Sequence, residues 1–201
     1  MYRTRSGLIL VFHGCDQSVL KKILSGEDLK VSRNKYDWLG HGIYFWDNSP
    51  ERAFEDATFL KNNSIRSKTP ISTPAVIGAV INLGICLDLL DYSNLKLLQF
   101  SNTVLESYNK PGYVLPKNRN VGNNEDLLLR ERDCLVVEML HEIINKNNLP
   151  AYDSVRGVFW KVRRYTKQPG FVKKIISRYA FETLTVLKGI LCQERLMINL
   201  E

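Results

Sequence analysis

The segment Asp37–Ala53, DWLGHGIYFWDNSPERA, constrains the fold more than any other part of this chain. Two glycines, Gly40 and Gly42, precede the bulky run Ile43, Tyr44, Phe45 and Trp46. Aromatic and β-branched residues in such a run predict a strand, and glycines at its entry let backbone or ligand approach closely. The pattern then changes to Asp47, Asn48, Ser49 and Pro50. A serine cap followed by proline at the first helical position predicts a helix, continued by ERAFEDATFL.

The flanking pattern alternates in the same way. LILVFHG, Leu8 to Gly14, reads as a buried strand closed by glycine. Asp16 caps a helix whose apolar face is Val19, Leu20, Ile23 and Leu24, and Gly26 ends it. Ser64 to Pro74 reads as a loop, and AVIGAVINLG after it as a strand apolar on both faces. YSNLKLLQFSNTVLESY and NEDLLLRERDCLVVEMLHEIINK predict two helices separated by a loop; VRGVFW predicts a short strand. The sum is an α+β fold in one domain spanning residues 1–201.

No stretch approaches the roughly 18 apolar residues of a membrane span. Arg3 and Arg5 precede only the short run GLILVF, which predicts no signal peptide. Cys15, Cys86, Cys134 and Cys192 are widely spaced without a CxxC pair. That speaks against a zinc or disulfide framework and fits a cytoplasmic protein. The net charge of +7 is unevenly placed: residues 160–201 hold nine basic and three acidic side chains. Such a basic end is expected either to contact nucleic acid or a partner, or to have another origin taken up below.

FHG at the first strand end, ILSGEDLKVSRN after it, and LGHGIYFWDNSPERA beyond resemble the NAD-binding half of the diphtheria-toxin/PARP-like ADP-ribosyltransferases. The resemblance covers roughly residues 7–60. It implies an ADP-ribosyltransferase-like core of packed, antiparallel-rich β-sheets with flanking helices, and NAD as co-substrate. On these positions His13 is expected to bond a ribose hydroxyl, and the Gly14 main chain to pair with the nicotinamide carboxamide. Tyr44 is expected to stack on the ring, Gly42 to let the backbone pass beside it, and Phe54 to be the second aromatic. Each has a plainer alternative: a structural histidine, and core packing for the two aromatics. His41 reads as solvated, and His141 as a surface residue of its helix.

The family also needs an acidic or amide residue on a later strand, where it stabilises the oxocarbenium-like ribosyl carbon. Glu182 in FETLTV is the candidate, its alternative being a solvated strand charge. A second expectation concerns the basic end. Back-translation from about Trp160, read one nucleotide earlier, permits a peptide containing HIQICVRNPNCIKGYF with no forced stop. That peptide resembles the family's C-terminal strands. Residues 160–201 are accordingly expected to be out of frame relative to an ancestral protein.

The expected function is therefore transfer of ADP-ribose from NAD to a macromolecular acceptor, or hydrolysis of NAD. The alternatives are a catalytically dead homologue, an RNA 2′-phosphotransferase of the same fold, and a basic binding module using Tyr165, Phe171 and Tyr179 on nucleic acid. The resemblance leaves the acceptor open and admits an antitoxin-like partner.

Overall fold

The computed structural model describes residues 8–63, 70–108, 114–120, 129–162, 179–187 and 197–199. Among these the chain is α+β, with seven strands and four helices. The strands are β1 (Leu8–Asp16), β2 (Ile43–Asp47), β3 (Pro74–Asn82), β4 (Cys86–Asp88), β5 (Ser154–Val162), β6 (Tyr179–Leu187) and β7 (Met197–Asn199). The helices are α1 (Gln17–Leu24), α2 (Pro50–Asn62), α3 (Tyr92–Ser107) and α4 (Glu131–Lys146). No helix among the described residues is long and apolar enough to cross a membrane.

Among the described residues the seven strands form one sheet, in the order β4-β5-β6-β2-β1-β3-β7. All neighbours are antiparallel except β4 and β5. β6 makes the sheet continuous. It pairs with β5 from Ser154↔Leu187 to Val162↔Tyr179, and its last residues pair with β2 from Ile43↔Leu187 to Trp46↔Leu184. Arg156 of β5 ties the same strands together through side chains. It lies 3.0 Å from Asp47 of β2 and 3.5 Å from Asp88 of β4.

Alternation along β1 divides the core between the two faces of the sheet. Phe12 joins Trp46, Ala53 of α2, and Val137, Leu140 and Ile144 of α4 in one cluster. Val11 faces the other way, with Ile43, Phe45 and Ile81, and Cys15 meets Leu20 and Ile23 of α1.

Asp16 caps α1 by accepting the Ser18 N–H at 2.9 Å. Ser49 stands at the start of α2, with Pro50 its first residue, but its side chain makes no capping bond. α4 starts later than its sequence pattern predicts, because Leu129 is extended and exchanges main-chain bonds with Arg119 at 2.8 and 3.0 Å. Its cap comes from outside the helix: Asn118 Oδ1 accepts the Arg132 and Asp133 N–H groups. The sequence pattern also missed β4 and β7. Both are three residues long, too short to show a period. Tyr165, Phe171 and Cys192 lie outside the described residues.

Candidate functional site at the end of the β1–β2 ladder

Strand β1 pairs with β3 over its whole length, from Leu8↔Asn82 to Asp16↔Pro74. With β2 it pairs only at Val11↔Asp47 and Phe12↔Trp46. The Leu10 carbonyl accepts from Asn48 N–H, and the Gln17 N–H donates to Thr73. Main-chain groups alternate sides along an antiparallel strand, so Leu10, Phe12 and Gly14 face β2 while His13 and Cys15 face β3. The next rung of the β1–β2 ladder would join Gly14 to Tyr44. In its place the His13 side chain reaches across, and Nδ1 bonds the Tyr44 carbonyl at 2.8 Å. The Gly14 N–H and C=O therefore face β2 at a point where the regular pairing has stopped.

The partner fixes the chemistry of His13. A carbonyl only accepts, so Nδ1 carries the proton. Burial pushes the His13 pKa below its ordinary 6.5, outweighing the Tyr44 hydrogen bond and the Asp56 carboxylate, which both raise it. At neutral pH the ring is therefore uncharged, and Nε2 presents a lone pair. The ring packs against Phe45, centroids 5.8 Å apart.

Gly14 has no side chain because α2 occupies the space. A Cβ there would lie 2.1 Å from the Ala53 carbonyl oxygen and 3.1 Å from Ala57 Cβ. Close helix packing thus accounts for the glycine without any ligand. Phe54, on the same helix, is 50% exposed and takes no part in the core.

Tyr44 is held at both ends. Its ring packs on the core cluster alongside Trp38. Its hydroxyl donates to the Gly40 carbonyl at 2.7 Å and accepts the Leu39 N–H at 3.1 Å. Burial above all, with the Asp37 and Glu138 charges nearby, drives its pKa upward. With the hydroxyl engaged both as donor and as acceptor, the part of Tyr44 left to meet a ligand is the ring. Gly42 is buried and exchanges both main-chain bonds with Ser32, at 2.9 and 3.1 Å.

Glu182 is not brought to this group. It pairs with Phe159, whereas Tyr44 pairs with Val186, four residues further along β6. At about 3.3 Å per residue the separation is about 13 Å along the strand. The carboxylates close to the site come from helices and a loop: Asp56 beside His13, and Asp37 and Glu138 beside Tyr44.

Two histidines depart from their sequence reading. His41 is partly buried, with Nδ1 3.3 Å from Glu138 Oε2. His141 is half-buried, its ring edge-on to Tyr152 at 6.1 Å. The partner of His41 lies 97 positions away, and that of His141 lies beyond the end of α4, so helix or turn pattern alone reveals neither. A separate cavity of about 750 Å³ lies between α3, α4 and β5, lined by Trp38, Leu89, Leu98, Arg132, Val137 and Val158 among others. His13, Gly14 and Tyr44 do not line it. Compared with known proteins, the chain matches no family model, no curated protein and no solved structure.

Proposed function

We propose that this protein binds NAD with the nicotinamide at the β1–β2 opening, as an ADP-ribosyltransferase-like protein. The observation that carries the reading is the replacement of one ladder rung by the His13–Tyr44 bond, which leaves the Gly14 main chain facing an interrupted edge. A carboxamide has one donor and one acceptor group, matching the N–H and C=O of a single residue. His13 Nε2 accepts a ribose hydroxyl, the Tyr44 ring provides a stacking face, and the exposed Phe54 is the second aromatic. Gly42 holds the turn that delivers Tyr44.

In the reaction the bond from the ribosyl carbon to nicotinamide breaks, and its electron pair leaves with nicotinamide. A nucleophile of the macromolecular acceptor, or water, adds to the cationic carbon and gives up a proton. The site's contribution is orientation, and a carboxylate is needed to stabilise the cation. The 13 Å offset of Glu182 favours a second reading, a homologue that binds NAD without cleaving it.

Two measurements separate these readings. NAD at a hundredfold excess over Kd is expected to raise the thermal midpoint by roughly 5–10 °C, and Tyr44→Ala to abolish that shift. Absence of a shift in the unchanged protein at millimolar NAD overturns the assignment. Release of nicotinamide from labelled NAD then decides between enzyme and binder: binding without release establishes the inactive homologue.

The same proposal includes the origin of the basic end. Resequencing the coding DNA across codons 150–201 is expected to show a reading one nucleotide earlier that encodes HIQICVRNPNCIKGYF or a close variant. Stops in that frame would make the basic segment genuine and Glu182 the residue to mutate. In that case, salt-dependent affinity for nucleic acid would support the binding-module alternative.

A further inference from the structure

Residues 32–42 form a loop whose ends are clamped and whose interior is pinned from two sides. Ser32 and Gly42 close it through their paired main-chain bonds. Inside, Asp37 Oδ2 accepts from Ser32 Oγ and from Asn34 N–H, both at 2.8 Å, and Gly40 N–H donates to the Asp37 carbonyl at 2.8 Å. From outside, α4 supplies Glu138. Its Oε1 accepts the His41 N–H at 2.7 Å, and its Oε2 lies 3.3 Å from His41 Nδ1. The peptide that donates this N–H is the one whose carbonyl, on Gly40, accepts the Tyr44 hydroxyl. One rigid peptide plane therefore joins the Glu138 carboxylate to the Tyr44 ring.

We propose that Glu138 is a positioning residue for the nicotinamide site, acting on Tyr44 through the Gly40–His41 peptide. This inference rests on the functional reading above. Glu138 has no need to touch the ligand. It holds the peptide plane, the plane holds the hydroxyl, and the hydroxyl fixes the tilt of the ring on which nicotinamide stacks. Because both the N–H and the C=O of one peptide are used, polarisation of the N–H by a carboxylate also strengthens the carbonyl as an acceptor. The arrangement places a helix residue 97 positions away in charge of an aromatic wall of the pocket.

The test is a double-mutant cycle on the full chain with Glu138→Ala and Tyr44→Phe, reading Kd for NAD by calorimetry. Tyr44→Phe keeps the ring and removes the hydroxyl link. Glu138→Ala alone is expected to weaken NAD binding on the order of tenfold, and less than about twofold in the Tyr44→Phe background. Glu138→Gln keeps an acceptor for the His41 N–H and is expected to restore most of the affinity. A role in holding α4 alone would give additive losses, and would follow thermal stability rather than Kd. Binding by the unchanged protein with additive variants overturns this proposal and leaves the functional reading standing. Absence of NAD binding by the unchanged protein overturns both.

Discussion

Gly14→Ala is expected to cost at least about 3 kcal/mol of stability, lowering the thermal midpoint by roughly 6 °C or more. The added methyl would sit 2.1 Å from the Ala53 carbonyl oxygen, which is backbone of a packed helix and cannot rotate aside. Relief requires α2 to lift away from β1, and Ala53 and Ala57, both fully buried, would lose contact with the sheet. Gly26→Ala is the control. It meets no atom within 4 Å, but its φ of +103° penalises a side chain, so a loss of about 1 kcal/mol is expected. Equal effects at the two positions in urea titrations would show that the contact between α2 and β1 is looser than described.

Asp16→Asn is expected to cost about 2–4 kcal/mol at neutral pH. One carboxylate oxygen accepts the Ser18 N–H at the start of α1, and the other accepts Ser72 N–H, Ser72 Oγ and Thr73 N–H at 2.8–2.9 Å. An amide offers only one acceptor oxygen, so its NH₂ would face donors on one side. The Ser18 bonds, together with those from Thr73 and Ser72, hold the Asp16 pKa far below its ordinary 3.8. The sign follows from linkage. The folded state binds the proton less readily than the unfolded chain, so the stabilisation is complete above the unfolded pKa and is lost as pH falls below it. The gap between wild type and Asp16→Asn is expected to stay constant from pH 8 to about 5 and to narrow below about pH 4. A gap that persists undiminished at pH 2.5 would assign the effect to packing rather than to the carboxylate.

Both residues were legible in the sequence, but only in part. Asp16 reads as a helix cap, which it is; its three bonds to Ser72 and Thr73 depend on a loop 56 positions away. Gly14 reads as a point of close ligand approach, and the structure adds a helix that forbids any other residue. His13 and Tyr44 were singled out separately from FHG and GIYF. Only the end of the β1–β2 ladder joins them, through the His13 Nδ1–Tyr44 carbonyl bond.

Local pattern determined a good deal by itself. Strands β1, β2, β3, β5 and β6, and helices α1, α2 and α3, follow from periodicity, caps and turn residues that act within a few positions. Tertiary structure decided what no window of sequence contains. It stopped the β1–β2 pairing after Phe12, set Glu182 four pairs from the partner of Tyr44, and moved the start of α4 by pairing Leu129 with Arg119. It also brought Glu138 onto a turn that reads as solvated. The reason is one of range: propensity and capping are settled by neighbours in the chain. Register, helix–sheet contact and the pairing of a carboxylate with a distant N–H are settled only when the whole core closes.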